Sequence, residues 1–136
     1  MSDTCWLEMV VDREDVRKVN EVMFNTKDNL YWNEVIEDEN DNTLTLISDE
    51  ANYGYYNELK RLVEAGINFY GKHDSGSEYE AARFACFDGK YRGVATINDE
   101  PAALVGRDGI SEASVKNIWE YYAIYDLVIA IFRDAI

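Results

Sequence analysis

The chain has 136 residues, with 27 acidic and 13 basic side chains and a formal charge of −14 at pH 7. One proline, eight glycines, three tryptophans, ten tyrosines and five phenylalanines exclude a linker or low-complexity chain and predict a single packed domain over residues 1–136. The acidic balance disfavours direct binding to nucleic acid or to an anionic membrane surface, because their phosphates would be repelled.

The N-terminal half predicts a strand, a helix and a strand pair. Residues 5–11 alternate apolar and polar side chains, which indicates a half-buried strand. Asp12 follows this strand and is positioned to cap a helix over 13–24. Two further segments, 30–36 and 43–47, flank a polar turn and predict an antiparallel pair.

The second half predicts another helix followed by several strands. The spacing of apolar residues predicts a helix over 55–65. Asp88 and Gly89 form the strongest hairpin signal in the chain. The predicted strands lie at 67–70, 79–87, 90–97 and 102–105.

The last predicted element is a long helix that Ser111 caps. Apolar residues occupy two sides of this helix. One side carries Val115, Ile118, Trp119, Tyr122 and Ile129, and the other carries Tyr121, Ile124, Val128 and Ile131. Such a helix is either fully buried, or it covers the core with one side and a partner with the other.

These elements predict an α+β fold. The first six follow the ferredoxin-like βαββαβ order, in which two helices cover one face of a sheet. A β-hairpin or meander and the long C-terminal helix extend that order.

The sequence also predicts a cytoplasmic protein without a cofactor. The first nine residues, MSDTCWLEM, lack the basic and apolar regions of a signal peptide. The longest apolar run, 127–132, is far shorter than the ~20 residues that span a bilayer. With two cysteines, Cys5 and Cys86, the chain cannot build a disulfide scaffold or a four-cysteine zinc site.

The negative charge is concentrated in residues 28–59. This segment contains nine acidic residues and no lysine or arginine. Aliphatic and aromatic residues are interleaved with the acids, so we expect an ordered surface and not a disordered tail. Alternate residues of a strand lie about 6.6 Å apart on one face, a spacing comparable with that of phosphates along a nucleic-acid strand.

We therefore predict a non-enzymatic inhibitor that mimics nucleic acid and binds a basic groove of a nuclease or of a nucleic-acid-guided defence complex. Small phage and plasmid inhibitors of the anti-restriction or anti-CRISPR type are similar in size and charge, without a shared motif. The opposing interpretation is that the acids only keep the protein soluble. The predicted partner-binding residues are Asp28, Tyr31, Trp32, Glu34, Glu37, Asp38, Glu39, Asp41, Asp49, Glu50 and Tyr53.

Two other functional hypotheses stay open. The two-sided C-terminal helix predicts a homodimeric interaction module. A small hydrolase centred on His73 or Cys86 is the third hypothesis, although an exposed loop and a packed thiol are the more common roles of such residues. Segment 37–42 offers oxygen ligands for a divalent cation, but it lacks the glycine and the distal glutamate of an EF-hand. We therefore predict no dedicated metal site.

Overall fold

The structure, a computed structural model, describes residues 3–37, 42–97, 100–101, 105–107 and 109–128, with the backbone alone for 105–106 and 125–128. The strands are β1 (Thr4–Asp12), β2 (Glu34–Glu37), β3 (Thr43–Asn52), β4 (Phe69–His73), β5 (Ala82–Phe87), β6 (Lys90–Ile97), β7 (Glu100–Pro101), β8 (Val105–Gly106) and β9 (Gly109–Ile110). The helices are α1 (Val16–Phe24), α2 (Tyr56–Glu64) and α3 (Glu112–Val128), and 3₁₀ turns precede α1 (Arg13–Asp15) and α2 (Tyr53–Tyr55).

Seven strands form one sheet in the order β2-β3-β1-β4-β5-β6-β7. Each of the six neighbouring pairs is antiparallel. Strands β8 and β9 form a separate two-stranded ribbon. The prediction of an α+β fold is confirmed.

The main core lies between α1, α2 and one face of the sheet. Period-two alternation directs Leu7, Met9 and Val11 of β1 to this face, where all three are fully buried. The helix residues that join this core are Val19, Met23, Leu59 and Leu62. Their spacing of three or four residues places them on one side of each helix.

Arg61 connects the two helices of this layer by hydrogen bonds. Arg61 of α2 donates hydrogen bonds from Nε to the carbonyl of Val22 at 3.1 Å and from Nη2 to the carbonyl of Met23 at 3.0 Å. These carbonyls belong to the last turn of α1, whose acceptors have no partner within the helix. The Arg61 side chain therefore caps the C-terminal end of α1.

Helix α3 packs against the opposite face of the sheet, over β5 and β6. Its Ile124 is buried against Ala85 and Val94. Ser111 caps this helix as predicted, because its Oγ accepts a hydrogen bond from the Ser114 N–H at 3.2 Å. Within the described ranges, no helix combines the length and hydropathy that crossing a bilayer requires.

Several sequence expectations differ from the structure in detail. Strand β3 continues to Asn52, beyond the predicted end at 47, β4 lies at Phe69–His73 and not at 67–70, and β5 begins at Ala82 and not at 79. Most of the predicted strand 102–105 lies outside the described residues. Strand β2 begins at Glu34, because residues 30–33 form a turn in which the Trp32 N–H donates to the carbonyl of Asn29. Asp12 occupies the predicted cap position before the Arg13–Asp15 turn, but its side chain makes no capping hydrogen bond.

Candidate functional site

Acidic residues line β2, the strand at one edge of the sheet. Glu34 pairs with Ile47 of β3 and Glu37 pairs with Leu44, and both glutamates are exposed. Ile47 and Leu44 are three residues apart, so the two glutamates project from opposite faces of the edge. This agrees with the alternation expected from the sequence.

A β-bulge exposes two more acids on the neighbouring strand. The register of β1 against β3 shifts near the start of β1, so Asp49 and Glu50 together face one β1 residue. The bulge allows Ser48 and Ala51 on either side to stay buried while both acids are exposed. A side chain holds the bulge in place, since the Asp49 N–H donates to Asn33 Oδ1 at 2.9 Å.

We refer to Glu34, Glu37, Asp49 and Glu50 as the acidic edge. None of them forms an ion pair with another residue in the described part of the chain. Residues 44–50 of β3 run along this edge and span roughly 20 Å, so the four acids follow one another at about 7 Å on average. Duplex DNA carries one charge per ~1.7 Å of axis, so the acidic edge is much less dense than a duplex.

Three further acids lie at the end of β1 and in the turn that follows it. The Arg13 N–H donates to the carbonyl of Asn42 at 2.8 Å, which holds the turn containing Glu14 and Asp15 beside the start of β3. Burial, and then repulsion by Asp15 and Glu14, raise the pKa of Asp12. Acidic side chains are thus close to one another at this end of the sheet as well.

The predicted aromatic contacts differ in exposure. Tyr31 is 55% exposed and stacks on Phe24 with ring centroids 4.6 Å apart. Trp32 is only 6% exposed, and its indole Nε1–H donates to Oδ1 of the buried Asn20 at 2.7 Å. The expectation that Trp32 supplies contact area is therefore wrong, because its indole completes the core.

The remaining predicted site residues are less informative. Asp28 is exposed in the turn between α1 and β2, and Tyr53 follows β3 directly. Asp38, Glu39 and Asp41 lie outside the described residues, as does most of the oxygen-rich segment 37–42. Within the described ranges, no three His, Cys, Asp or Glu side chains are arranged to hold a metal ion.

Helix α3 presents a second exposed surface. Val115, Trp119 and Tyr122 are spaced at i, i+4 and i+7 and are all exposed, with Trp119 at 72%. We refer to these three residues as the α3 face. Ile124 points to the core instead, which fits the predicted two-sided helix. The predicted contributions of Ile129 and Ile131 lie outside the described residues.

His73 and Cys86 do not form a catalytic pair. His73 pairs with Ala82 across β4 and β5, whereas Cys86 pairs with Phe69, four residues away along β4. This register separates the two residues by roughly 13 Å along the strands. Burial also raises the pKa of the Cys86 thiol, which disfavours the nucleophilic thiolate.

A pocket that the sequence did not reveal lies between α2 and β6. It has a volume of about 310 Å³ and opens beside the turn that follows β3. Its described lining residues are Tyr53, Gly54, Tyr56, Leu59, Lys60, Val63, His73 and Tyr91. The sequence signal for it is weak, because segment 52–54 is typical of an ordinary turn.

Comparisons of this chain with protein-family models, with characterised proteins and with solved structures find no match. Its function is therefore inferred from its own surfaces. The acidic edge, the α3 face and this pocket each offer a binding role.

Proposed function

We propose that the protein is a non-enzymatic binding protein whose acidic edge occupies a Lys/Arg groove that otherwise holds nucleic acid. The observation that carries this proposal is that the β2–β3 pairing and the bulge hold in place acids that form no ion pair with any other described residue. Residues 28–59 contain no lysine or arginine that could neutralise these acids. A rigid array loses less conformational entropy on binding than a flexible tail. Its field also accelerates encounter with a basic partner.

The spacing of the charges favours a groove for a single strand over a duplex groove. One charge about every 7 Å is too sparse for a duplex, which carries one per ~1.7 Å of axis. The value is closer to the ~3.4 Å per charge of one strand taken alone. Partners of the proposed kind are a nuclease or a nucleic-acid-guided defence complex, which an anti-restriction or anti-CRISPR type of inhibitor blocks in the cytoplasm.

The first test reverses charge on the acidic edge. The variant Glu34→Lys/Asp49→Lys/Glu50→Lys is immobilised beside the wild type and exposed to lysate of the source cell in 50 mM NaCl. We expect the wild type to retain a nucleic-acid-binding complex that single-stranded DNA or RNA displaces. The variant should retain at least tenfold less of it, because attraction becomes repulsion across the contact. Wild-type binding should also fall steeply in 500 mM NaCl.

A matched control separates the effect of the acidic edge on binding from the effect of the net charge of the protein. The variant Glu64→Lys/Glu78→Lys/Glu80→Lys changes the net charge by the same amount at exposed positions elsewhere. We expect this control to bind like the wild type. Equal retention by the edge variant, equal loss by the control, or a captured complex that nucleic acid does not displace would each contradict the proposal.

The exposed side of α3 supports a second candidate function, homodimerisation. Trp119 is 72% exposed, and large exposed aromatics are common anchors of protein interfaces. Val115 and Tyr122 extend its apolar area along the helix. A dimer through this face would carry two acidic edges, so both functions are compatible.

Sedimentation tests this second candidate. We expect the wild type to show a concentration-dependent monomer–dimer equilibrium. Trp119→Ser should raise its dissociation constant at least tenfold, because truncating a hot-spot aromatic costs about 2 kcal/mol or more. Tyr56→Ser is the control, since Tyr56 is equally exposed but lies on α2. A wild type that stays monomeric at every concentration would refute homodimerisation.

We further propose that β1 to β4 with α1 and α2 form a ferredoxin-like unit, extended by β5–β7 and α3. The support is the chain order β1-α1-β2-β3-α2-β4 together with the sheet order β2-β3-β1-β4. In a split βαβ unit each helix connects two strands that flank a third. Helix α1 connects β1 to β2 around β3, and α2 connects β3 to β4 around β1.

A further inference from the structure

Three consecutive residues beside the pocket have left-handed backbone conformations. Their φ angles are 52° at Tyr53, 61° at Gly54 and 55° at Tyr55. Glycine adopts this conformation readily, but it is unfavourable for tyrosine because Cβ crowds the following carbonyl. The turn is held by the Tyr53 N–H, which donates to the carbonyl of Asp3 at 2.8 Å, and by the hydroxyl pair of Tyr55 and Ser48 at 2.9 Å. Backbone strain maintained in this way is typical of binding sites.

The left-handed turn brings Gly54 against the imidazole of His73. A Cβ atom at Gly54 would lie 3.0 Å from His73 Cδ2 and 3.2 Å from Nε2, so a larger residue would displace the ring. Nδ1 of His73 lies 2.8 Å from the carbonyl oxygen of Asp74, and because that oxygen accepts, Nδ1 carries the proton. In the neutral ring Nε2 is then an acceptor, and no residue in the described ranges donates to it.

Aromatic rings form much of the pocket wall. Tyr91 lies nearly parallel to Phe84, at 16° with centroids 6.5 Å apart, and His73 lies at 29° to the same ring. Tyr53 and Tyr56 line the side nearest α2. A cavity of about 310 Å³ is at the lower end of the ~300–1,000 Å³ usual for small-molecule sites. The shape and the rings therefore suit a small planar aromatic ligand.

The charges around the pocket favour a neutral ligand. Among the described lining residues, Lys60 carries the one full charge, and it repels the cations that tyrosine rings would otherwise attract. The chain as a whole carries −14, and this field repels anions. A neutral aromatic molecule avoids both penalties, and an N–H or O–H group on it would satisfy Nε2 of His73.

We propose that this pocket binds a neutral planar aromatic compound of the indole or phenol class, which stacks among the tyrosines and donates a hydrogen bond to Nε2 of His73. The site is separate from the acidic edge and does not depend on the function proposed for that edge. Its ligand is recognised by ring area and by one donor, and both properties can be varied independently.

Indole and 1-methylindole form a suitable pair of probes, because they share the ring system and differ in the N–H donor. Each is titrated into the full-length ¹⁵N-labelled protein, and the amide shifts of Tyr53, Gly54 and Tyr56 are followed. We expect saturable shifts at these amides and at least fivefold tighter binding of indole. Equal affinities for the two probes, or shifts confined to the α3 face, would overturn the proposal.

Two variants test the separate contributions. His73→Phe keeps a ring and removes the acceptor, so indole and 1-methylindole should bind it equally. Tyr91→Ala removes one aromatic ring from the pocket wall, so both probes should bind at least threefold more weakly. This variant tests the proposal independently if His73→Phe does not fold. Ile110→Ser changes an exposed apolar residue of β9 that belongs neither to the pocket nor to the α3 face, and it should leave both affinities unchanged. A preference for indole that persists in His73→Phe would exclude His73 as the acceptor.

Discussion

Asn20 shows how one polar side chain organises the core around it. It is fully buried in α1, where its Oδ1 accepts from Trp32 Nε1–H and its Nδ2 donates to Asn29 Oδ1, both at 2.7 Å. The bridge fixes the turn between α1 and β2 and draws the indole into the core. Buried polar groups are tolerated when they are satisfied in this way.

Replacing Asn20 should therefore be costly. We expect Asn20→Ala to lower the free energy of unfolding by about 2–3 kcal/mol, because the buried Trp32 Nε1–H loses its acceptor. Asn29→Ala removes the acceptor of Asn20 Nδ2, but Asn29 is exposed and water can replace its oxygen, so the cost should be about 1 kcal/mol or less. Urea denaturation measures both values. Equal effects of the two substitutions would mean that the indole finds another acceptor.

The helical spacing of the sequence places Asn20 among apolar residues, but it does not predict which side chain Asn20 binds. Asn20 is four residues after Val16 and three before Met23, so it lies on the apolar side of the predicted helix. Its partner Trp32 was expected on the surface because it neighbours acidic residues. Whether Tyr31 or Trp32 is buried depends on Asn20, twelve residues before Trp32, and this contact forms only in the tertiary structure.

At the scale of elements, glycines set the packing of β4, β5 and β6. Phe84 of β5 is fully buried, and its neighbours in the register are Gly71 on one side and Gly93 on the other. A Cβ at Gly71 would overlap the carbonyl oxygen of Glu8 and would lie 2.9 Å from the Phe84 ring. Gly71 thus permits the close approach of β1 and β4.

Gly71→Ala should accordingly destabilise the sheet. We expect a loss of about 3 kcal/mol or more, since backbone atoms of β1 would have to move and overpacking usually costs 1–3 kcal/mol. Gly93→Ala is the control, because the three atoms nearest its Cβ would all belong to the exposed Tyr91 side chain, the first at 3.2 Å, and not to the backbone. Its effect should stay within about 1 kcal/mol. Thermal unfolding of the two variants makes the comparison, and similar losses would contradict the close-approach argument.

The elements also show where sequence patterns succeed. The α+β class, β6 at Lys90–Ile97 and the Ser111 cap were predictable, because alternation, the Asp-Gly turn and capping chemistry are local. The exposed bulge at 49–50 was not, because it depends on how β1 and β3 pair. The pocket between α2 and β6 was missed for the same reason, since His73 and Tyr91 meet Tyr53 only in the folded chain.

At the scale of the whole molecule, the helices cover different halves of the sheet. Helices α1 and α2 pack on one face around β1, β3 and β4, whereas α3 packs on the other face over β5 and β6. The two-sided pattern of α3 predicted that one side would stay available, and Trp119 is exposed there. The sequence pattern could not predict which face of the sheet α3 would cover, because the same apolar side of the helix could pack against either face.

The position of β2 has a consequence for aggregation. A strand at the end of a sheet offers its free backbone groups to any strand from another chain. Strand β2 is four residues long and carries Glu34 and Glu37, so two copies approaching edge to edge repel each other. At the opposite edge, β7 contains Pro101, which has no N–H to donate. The protein thus resists fibril-like growth at both edges, by charge at one and by a missing donor at the other. Lysine replacements keep that repulsion between identical copies, whereas neutral replacements at β2 would remove it.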